Sequence, residues 1–236
     1  MPQPGTGTPH NNDHALMTTL DRHSFVAILI ATLAVTGLST PGCATNQLHA
    51  QADVTGIALR SGDLEAHGLA FITPSTVTGQ EEDKQNLAFV FAKVLKEQRP
   101  DIPLVTLPET LSAINQAGLA EEYRTMYADY RDTGIFEKDS LHKVGQTTGT
   151  RYLAQLKLSN FTQDSKDRFN FLGLRLLQTK QANIRLFFQI WNSQDGSIVW
   201  EGTEELNYAW DTPKETPVTF QLVVGEVARN LVSRLP

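Results

Sequence analysis

The chain is poor in cysteine, in positive charge and in long apolar runs, and each shortage excludes something. Cys43 is the only cysteine among 236 residues, so neither an intramolecular disulfide nor a cysteine-based metal cluster is available. Lys and Arg number 20 against 26 Asp and Glu, a net charge of -6. No basic patch stands out that would neutralise phosphates, so no nucleic-acid partner is expected. The motifs of common chemistries are missing too: no HExxH, no glycine-rich phosphate loop and no Gly-x-Ser-x-Gly elbow. The six histidines, His10, His14, His23, His49, His67 and His142, include no close ligand pair behind residue 43, so no metal or cofactor is expected. Adjacent carboxylates at Glu81-Glu82, Glu121-Glu122 and Glu204-Glu205 read as solvated charge, not as a glycosidase acid and base. What is present, 40% hydrophobic and 8% aromatic residues, is the composition of a globular protein with one packed core.

An apolar stretch over residues 25 to 38, FVAILIATLAVTGL, follows Arg22 and His23 and ends in Ser39, Thr40, Pro41, Gly42 and Cys43. Its 14 residues fall short of the ~20 that a spanning helix needs and suit the apolar region of a secretory leader. Gly42-Cys43 resembles the end of a bacterial lipoprotein signal, in which a small residue precedes the cysteine that receives the lipid. Thr40 and Pro41 depart from that pattern, which usually has Leu three places before the cysteine. The alternatives are a free thiol behind an ordinary leader and an uncleaved anchor. The long polar stretch ahead of Met17 makes Met17 a second candidate start. The expected division is a leader over residues 1 to 42, a lipidated tether over 43 to 66 with room for some structure at 54 to 59, and one domain over 67 to 236. Ala44 behind the cysteine resembles the signals that send lipoproteins to the outer membrane, with inner-membrane anchoring as the alternative.

Within the domain, Gly68-Leu69-Ala70-Phe71-Ile72 is a short apolar run closed by Pro74, which predicts a buried strand. Leu87, Phe91, Val94 and Leu95 recur at helical spacing over residues 80 to 98, and a second short strand follows Pro103. Three helices are predicted next, from Pro108, over 119 to 131 and over 138 to 146. From Tyr152 the period changes to two. Residues 152 to 158 and 184 to 191 alternate as half-buried strands, and Asp195-Gly196 punctuates the turn to a return strand at 198 to 202. Phe220, Val223, Val224, Val227, Leu231 and Leu235 predict a closing amphipathic helix. The fold class is therefore α+β, a mixed sheet with helices packed on it.

LAFITP, GTRYLAQLKLSNF and IRLFFQIWNSQDGSIVWEGTEE, followed by a terminal helix, together resemble the proteobacterial lipoprotein superfamily that contains CsgG, LpoB, PelC and the amino-terminal domain of TolB. The resemblance covers about 170 residues, from His67 onward. It implies a non-enzymatic envelope protein that scaffolds or regulates an export, secretion or cell-wall assembly by docking on envelope proteins, often as a homo-oligomer. Residues 160 to 183 depart from the channel-forming members. Asp164, Lys166, Asp167, Arg168, Arg175 and Lys180 break the alternation that a membrane-facing strand requires, so a loop is expected there, its Phe169 and Phe171 covering a neighbour.

Phe187 and Trp191 fall on the sheet face opposite Ile184, Leu186, Phe188 and Ile190. Either a helix or loop covers them, or they form a contact surface together with Phe169 and Phe171. Tyr123, Tyr127 and Tyr130 share a helical stripe read as core. The competing functional expectation is a small-ligand-binding protein or hydrolase with an apolar pocket near residues 169 to 177.

Overall fold

The computed structural model describes the backbone of residues 46–171, 174–212 and 219–236, and the side chains of residues 49–162, 181–209 and 219–236. Cys43 and the predicted leader lie outside the described residues. The described chain runs β1(Asn46–Gly56), α1(Asp63–His67), β2(Leu69–Phe71), β3(Ser75–Thr76), α2(Glu81–Gln98), β4(Leu104–Val105), α3(Leu107–Gln116), α4(Ala120–Thr133), α5(Lys138–Thr148), β5(Tyr152–Phe171), β6(Leu174–Asn192), β7(Ile198–Thr212) and α6(Phe220–Val232). Seven strands form one mixed sheet in the order β1-β7-β6-β5-β2-β4, with β3 beside β5. β2, β4 and β5 are parallel, whereas β5, β6, β7 and β1 pair antiparallel. The predicted α+β class is the one observed.

Local chemistry sets the helix ends. Glu81, Glu82 and Asp83 occupy the first turn of α2, where carboxylates oppose the positive end of the helix dipole. A capping box opens α3: Glu109 accepts from the Thr106 backbone N–H at 2.7 Å. The Glu137 carboxylate accepts from the N–H groups of Asp139 and Ser140 at the start of α5. Gly149 ends α5 at φ 69°, a left-handed conformation that glycine adopts without a Cβ clash.

β2 explains its own unbroken apolar run. Leu69, Ala70 and Phe71 are all fully buried because helices cover both faces of the sheet there. On one face α2 and α6 bring Leu87, Phe91, Leu95, Val223, Val227 and Leu231 against Phe71, Leu156, Phe188, Ile190 and Trp200. Phe188 is the hub, edge-on to Phe91 at 5.5 Å and to Trp200 at 5.2 Å. On the other face α3, α4, α5 and the segment between α4 and α5 bring Ile114, Met126, Phe136, Leu141 and Val144 against Ala70, Ile72, Leu153 and Trp191.

Two expectations fail. The tether expected over residues 43 to 66, with room for some structure only at 54 to 59, holds β1 from residue 46 on, an eleven-residue strand that pairs with β7 without a register shift, and the start of α1. β1 is an edge strand and nearly all of residues 49 to 56 are exposed, so burial imposes no alternation on its sequence. Residues 160 to 183, expected as a loop, continue β5 and β6 in antiparallel register to the pair Phe171↔Leu174, past a bulge between Leu158 and Asn160. Charged residues interrupt any apolar period along it, so the sequence does not mark it as strand. Pairing there is carried by the backbone ladder, to which polar residues contribute as well as apolar ones.

Glu204 is an exception inside the α6-covered core. It is 1% exposed, and its Oε2 has no hydrogen-bond partner. Burial pushes its carboxyl above the ordinary range, and the side chains of Asn230 and Arg234 only partly oppose this. A carboxyl whose affinity for protons rises on folding contributes stability below its ordinary pKa, and loses it as pH climbs through the raised value. Glu204→Gln is therefore expected to raise Tm at pH 7.5 by roughly 2–4 °C, with the gain vanishing toward pH 4 in calorimetric scans. Trp191→Ala is expected to cost about 3–5 kcal/mol in urea unfolding, the range for deleting a buried aromatic.

Candidate interaction surface

The helical layer over the second sheet face stops part-way along β5, β6 and β7. Under the layer, Tyr130 stacks on Phe136 at 4.0 Å, and Phe136 meets Trp191 edge-on at 5.2 Å. Trp191 is 3% exposed. Of the two alternatives for Trp191, covering or a contact surface, covering is the one observed: α4 and the segment carrying Phe136 enclose it, so it does not belong to a partner surface. Its indole N–H donates to Gln189 at 3.3 Å, so the polar edge of the ring is satisfied as well. Phe136 is core without any periodic signal in the sequence. It sits between predicted helices, next to Ile135, which is 63% exposed.

A half-buried polar chain lies beside this aromatic group. The Thr73 backbone N–H donates to Tyr123 Oη at 2.9 Å, the Tyr123 hydroxyl donates to that of Tyr127 at 3.4 Å, and the Tyr127 hydroxyl donates to Gln155 Oε1 at 3.4 Å. Gln155, fully buried, in turn donates to Ser75 Oγ at 3.2 Å. Burial holds the Tyr127 phenol well above its ordinary pKa and that of Tyr123 above it. Both therefore stay neutral at physiological pH, and the chain is a structural weld between α4, β3 and β5. The stripe of tyrosines is core, as its spacing predicts.

Past the helices the same face lies open, and the register aligns its side chains in rows across β5, β6, β7 and β1. One row reads Lys157, Phe187, Thr203 and Asp53, and the next Asn160, Arg185, Glu205 and Gln51. Lys157 holds its ammonium 5.9 Å from the Phe187 ring centroid. Arg185 donates to the Glu205 carboxylate, whose pKa that contact lowers. Phe187 is half-buried and is the single aromatic of these rows. Phe169 and Phe171 stand in register with Leu177 and Leu174 near the far end of the hairpin, and their side chains lie outside the described residues.

Two depressions of similar volume also mark the described surface. A polar groove of about 600 Å³ is lined by His67, His142, Gln146, Arg151 and Ser193 among others. The fold thus brings His67 and His142 to one groove, yet among the described residues no three metal-capable side chains gather. An apolar groove of about 580 Å³ lies between α2 and α3, lined by Ala88, Phe89, Ala92, Leu107 and Leu111. Phe89 is 63% exposed. Its position, off the Leu87, Phe91, Val94 and Leu95 stripe, was the available signal for it.

No protein-family model matches the chain, and no curated protein matches it. Solved structures are similar in part. A PelC dodecamer from Paraburkholderia phytofirmans is similar at 12% identity over 81% of this chain and 94% of that one, with a TM-score of 0.40. Lipoprotein GNA1162 from Neisseria meningitidis is similar at 10% identity over 71% of this chain and 96% of that one, with a TM-score of 0.43.

Phe187→Ala is expected to leave the fold intact and to cost less than about 1 kcal/mol in urea unfolding, because the lost contact with Lys157 is of the exposed cation–π kind.

Proposed function

We propose that this chain is a non-enzymatic envelope lipoprotein, anchored through Cys43 at the periplasmic face of the outer membrane, which scaffolds or regulates an export, secretion or cell-wall assembly by protein contact. The observation that carries the reading is the open sheet face around Phe187. It presents paired charges and amides around one half-buried aromatic on a face that the helices leave uncovered. The leader pattern ending at Cys43 supports the anchor. The strand and turn segments that resemble the CsgG, LpoB, PelC and TolB superfamily support the scaffolding role.

A second reading, a periplasmic small-ligand-binding protein, is favoured by the polar groove at His67, His142 and Arg151. A bound ligand would stabilise the fold, so an unchanged Tm across a panel of anions and sugars counts against it.

The test places a photo-crosslinking residue at Phe187 in living cells and compares the chain carrying Cys43 with Cys43→Ser. Adducts to envelope proteins, together with release of the Cys43→Ser form from the membrane fraction, are expected. Absence of adducts in the Cys43 form removes the scaffold reading, and unchanged membrane association of Cys43→Ser removes the lipid.

A further inference from the structure

The two edges of the sheet are built differently. β4 exposes only Leu104 and Val105 and is bracketed by Pro103 and Pro108, a protected edge. β1 runs for eleven residues, Asn46–Gly56, with no proline, no lysine or arginine and no bulge in its pairing with β7. Among the described residues nothing pairs with its outer side. Such an edge offers a row of backbone donors and acceptors to another strand.

The side chains of β1 say which strand fits. Set antiparallel to a second β1 with Gln51 opposite Gln51, the sequence is complementary to itself. His49 then faces Asp53 on both sides of the two-fold axis, Ala50 faces Ala52, and Val54 faces position 48, a leucine. Each opposed pair lies on one sheet face, since both members are even-numbered or both odd-numbered. Ala50, Ala52 and Val54 share the face that carries Gly202, Glu204 and Leu206 of β7, while His49 and Asp53 share the other with Asn207 and Thr203. Within one copy His49 and Asp53 are four residues, roughly 13 Å, apart along the strand, and their register neighbours on β7 carry no charge. The two-fold arrangement is what brings them together. Val54, 36% exposed, and Ile57, 60% exposed beside the strand, supply the apolar part of the same edge.

We infer that β1 is a homodimerisation edge: two copies join antiparallel β1 strands about a two-fold axis at Gln51 and merge their sheets into one. This goes beyond the proposed function and stands whether or not the chain carries a lipid or meets an envelope partner.

The full-length chain in mild detergent is expected to show twice the chain mass by light scattering. His49→Asp sets carboxylates opposite Asp53 and is expected to return the monomer mass, and the swap His49→Asp with Asp53→His to restore the dimer. Both positions are exposed, so circular dichroism should be unchanged. In a Cys43→Ser background, Gln51→Cys provides the one thiol per chain. Opposed residues of antiparallel strands bring their Cα atoms to about 4.5–5.5 Å, within reach of a disulfide. Under a mild oxidant Gln51→Cys is expected to crosslink to itself, while Thr55→Cys, whose two copies lie roughly 27 Å apart in this register, is not. A monomeric natural chain overturns the proposal and leaves the edge to an extended segment of another protein. A dimer that is indifferent to His49→Asp, or that crosslinks through position 55 as readily as through 51, also overturns it.

Discussion

β5 has 20 residues and β6 has 19, so at ~3.3 Å per residue each spans more than 60 Å. α2, the longest helix with 18 residues, covers about 27 Å. That mismatch governs the molecule. Where helices and strands overlap, both sheet faces are dry and, apart from Gln155 and Glu204, their side chains are largely apolar. Beyond the overlap β5 and β6 continue as a paired ladder, and the described face that α3, α4 and α5 leave behind becomes a surface of charges and amides. The split between core and platform follows from element lengths, with no second domain required.

The boundary between dry and wet sheet is handled chemically. Trp191 is sealed by Phe136 and Tyr130, and its one polar atom reaches Gln189. Gln155, buried one register step along, is linked to Tyr127, Ser75 and the backbone of Leu156, so an amide with no exposure leaves neither nitrogen nor oxygen stranded. Glu204 on the opposite face lacks such a complement: its Oε2 has no partner, and burial raises its carboxyl pKa.

Legibility in the sequence tracked burial. The helices of the middle section, β2, the first halves of β5 and β6 and the Asp195-Gly196 turn were readable because one-sided or two-sided burial writes a period into residue choice. β1 and the far hairpin were not, since an exposed edge and a polar extension need only backbone hydrogen bonds. The candidate surface was half legible. The alternation of β6 placed Phe187 and Trp191 together on one face, but nothing in that alternation says where the covering helices stop. Phe187 lies just past that limit and Trp191 just inside it.

The sequence by itself determined the α+β class, the order of most elements, the lack of recognisable catalytic motifs and the leader-like run that ends at Cys43. These depend on local periodicity and residue chemistry, which are encoded within a few residues of each other. Only the tertiary structure decided that β1 joins β7 across some 150 residues of chain, that Trp191 is core and Phe187 surface, and that His67 and His142 meet in one groove. Those outcomes rest on long-range pairing and on the relative lengths of packed elements, which no local pattern records.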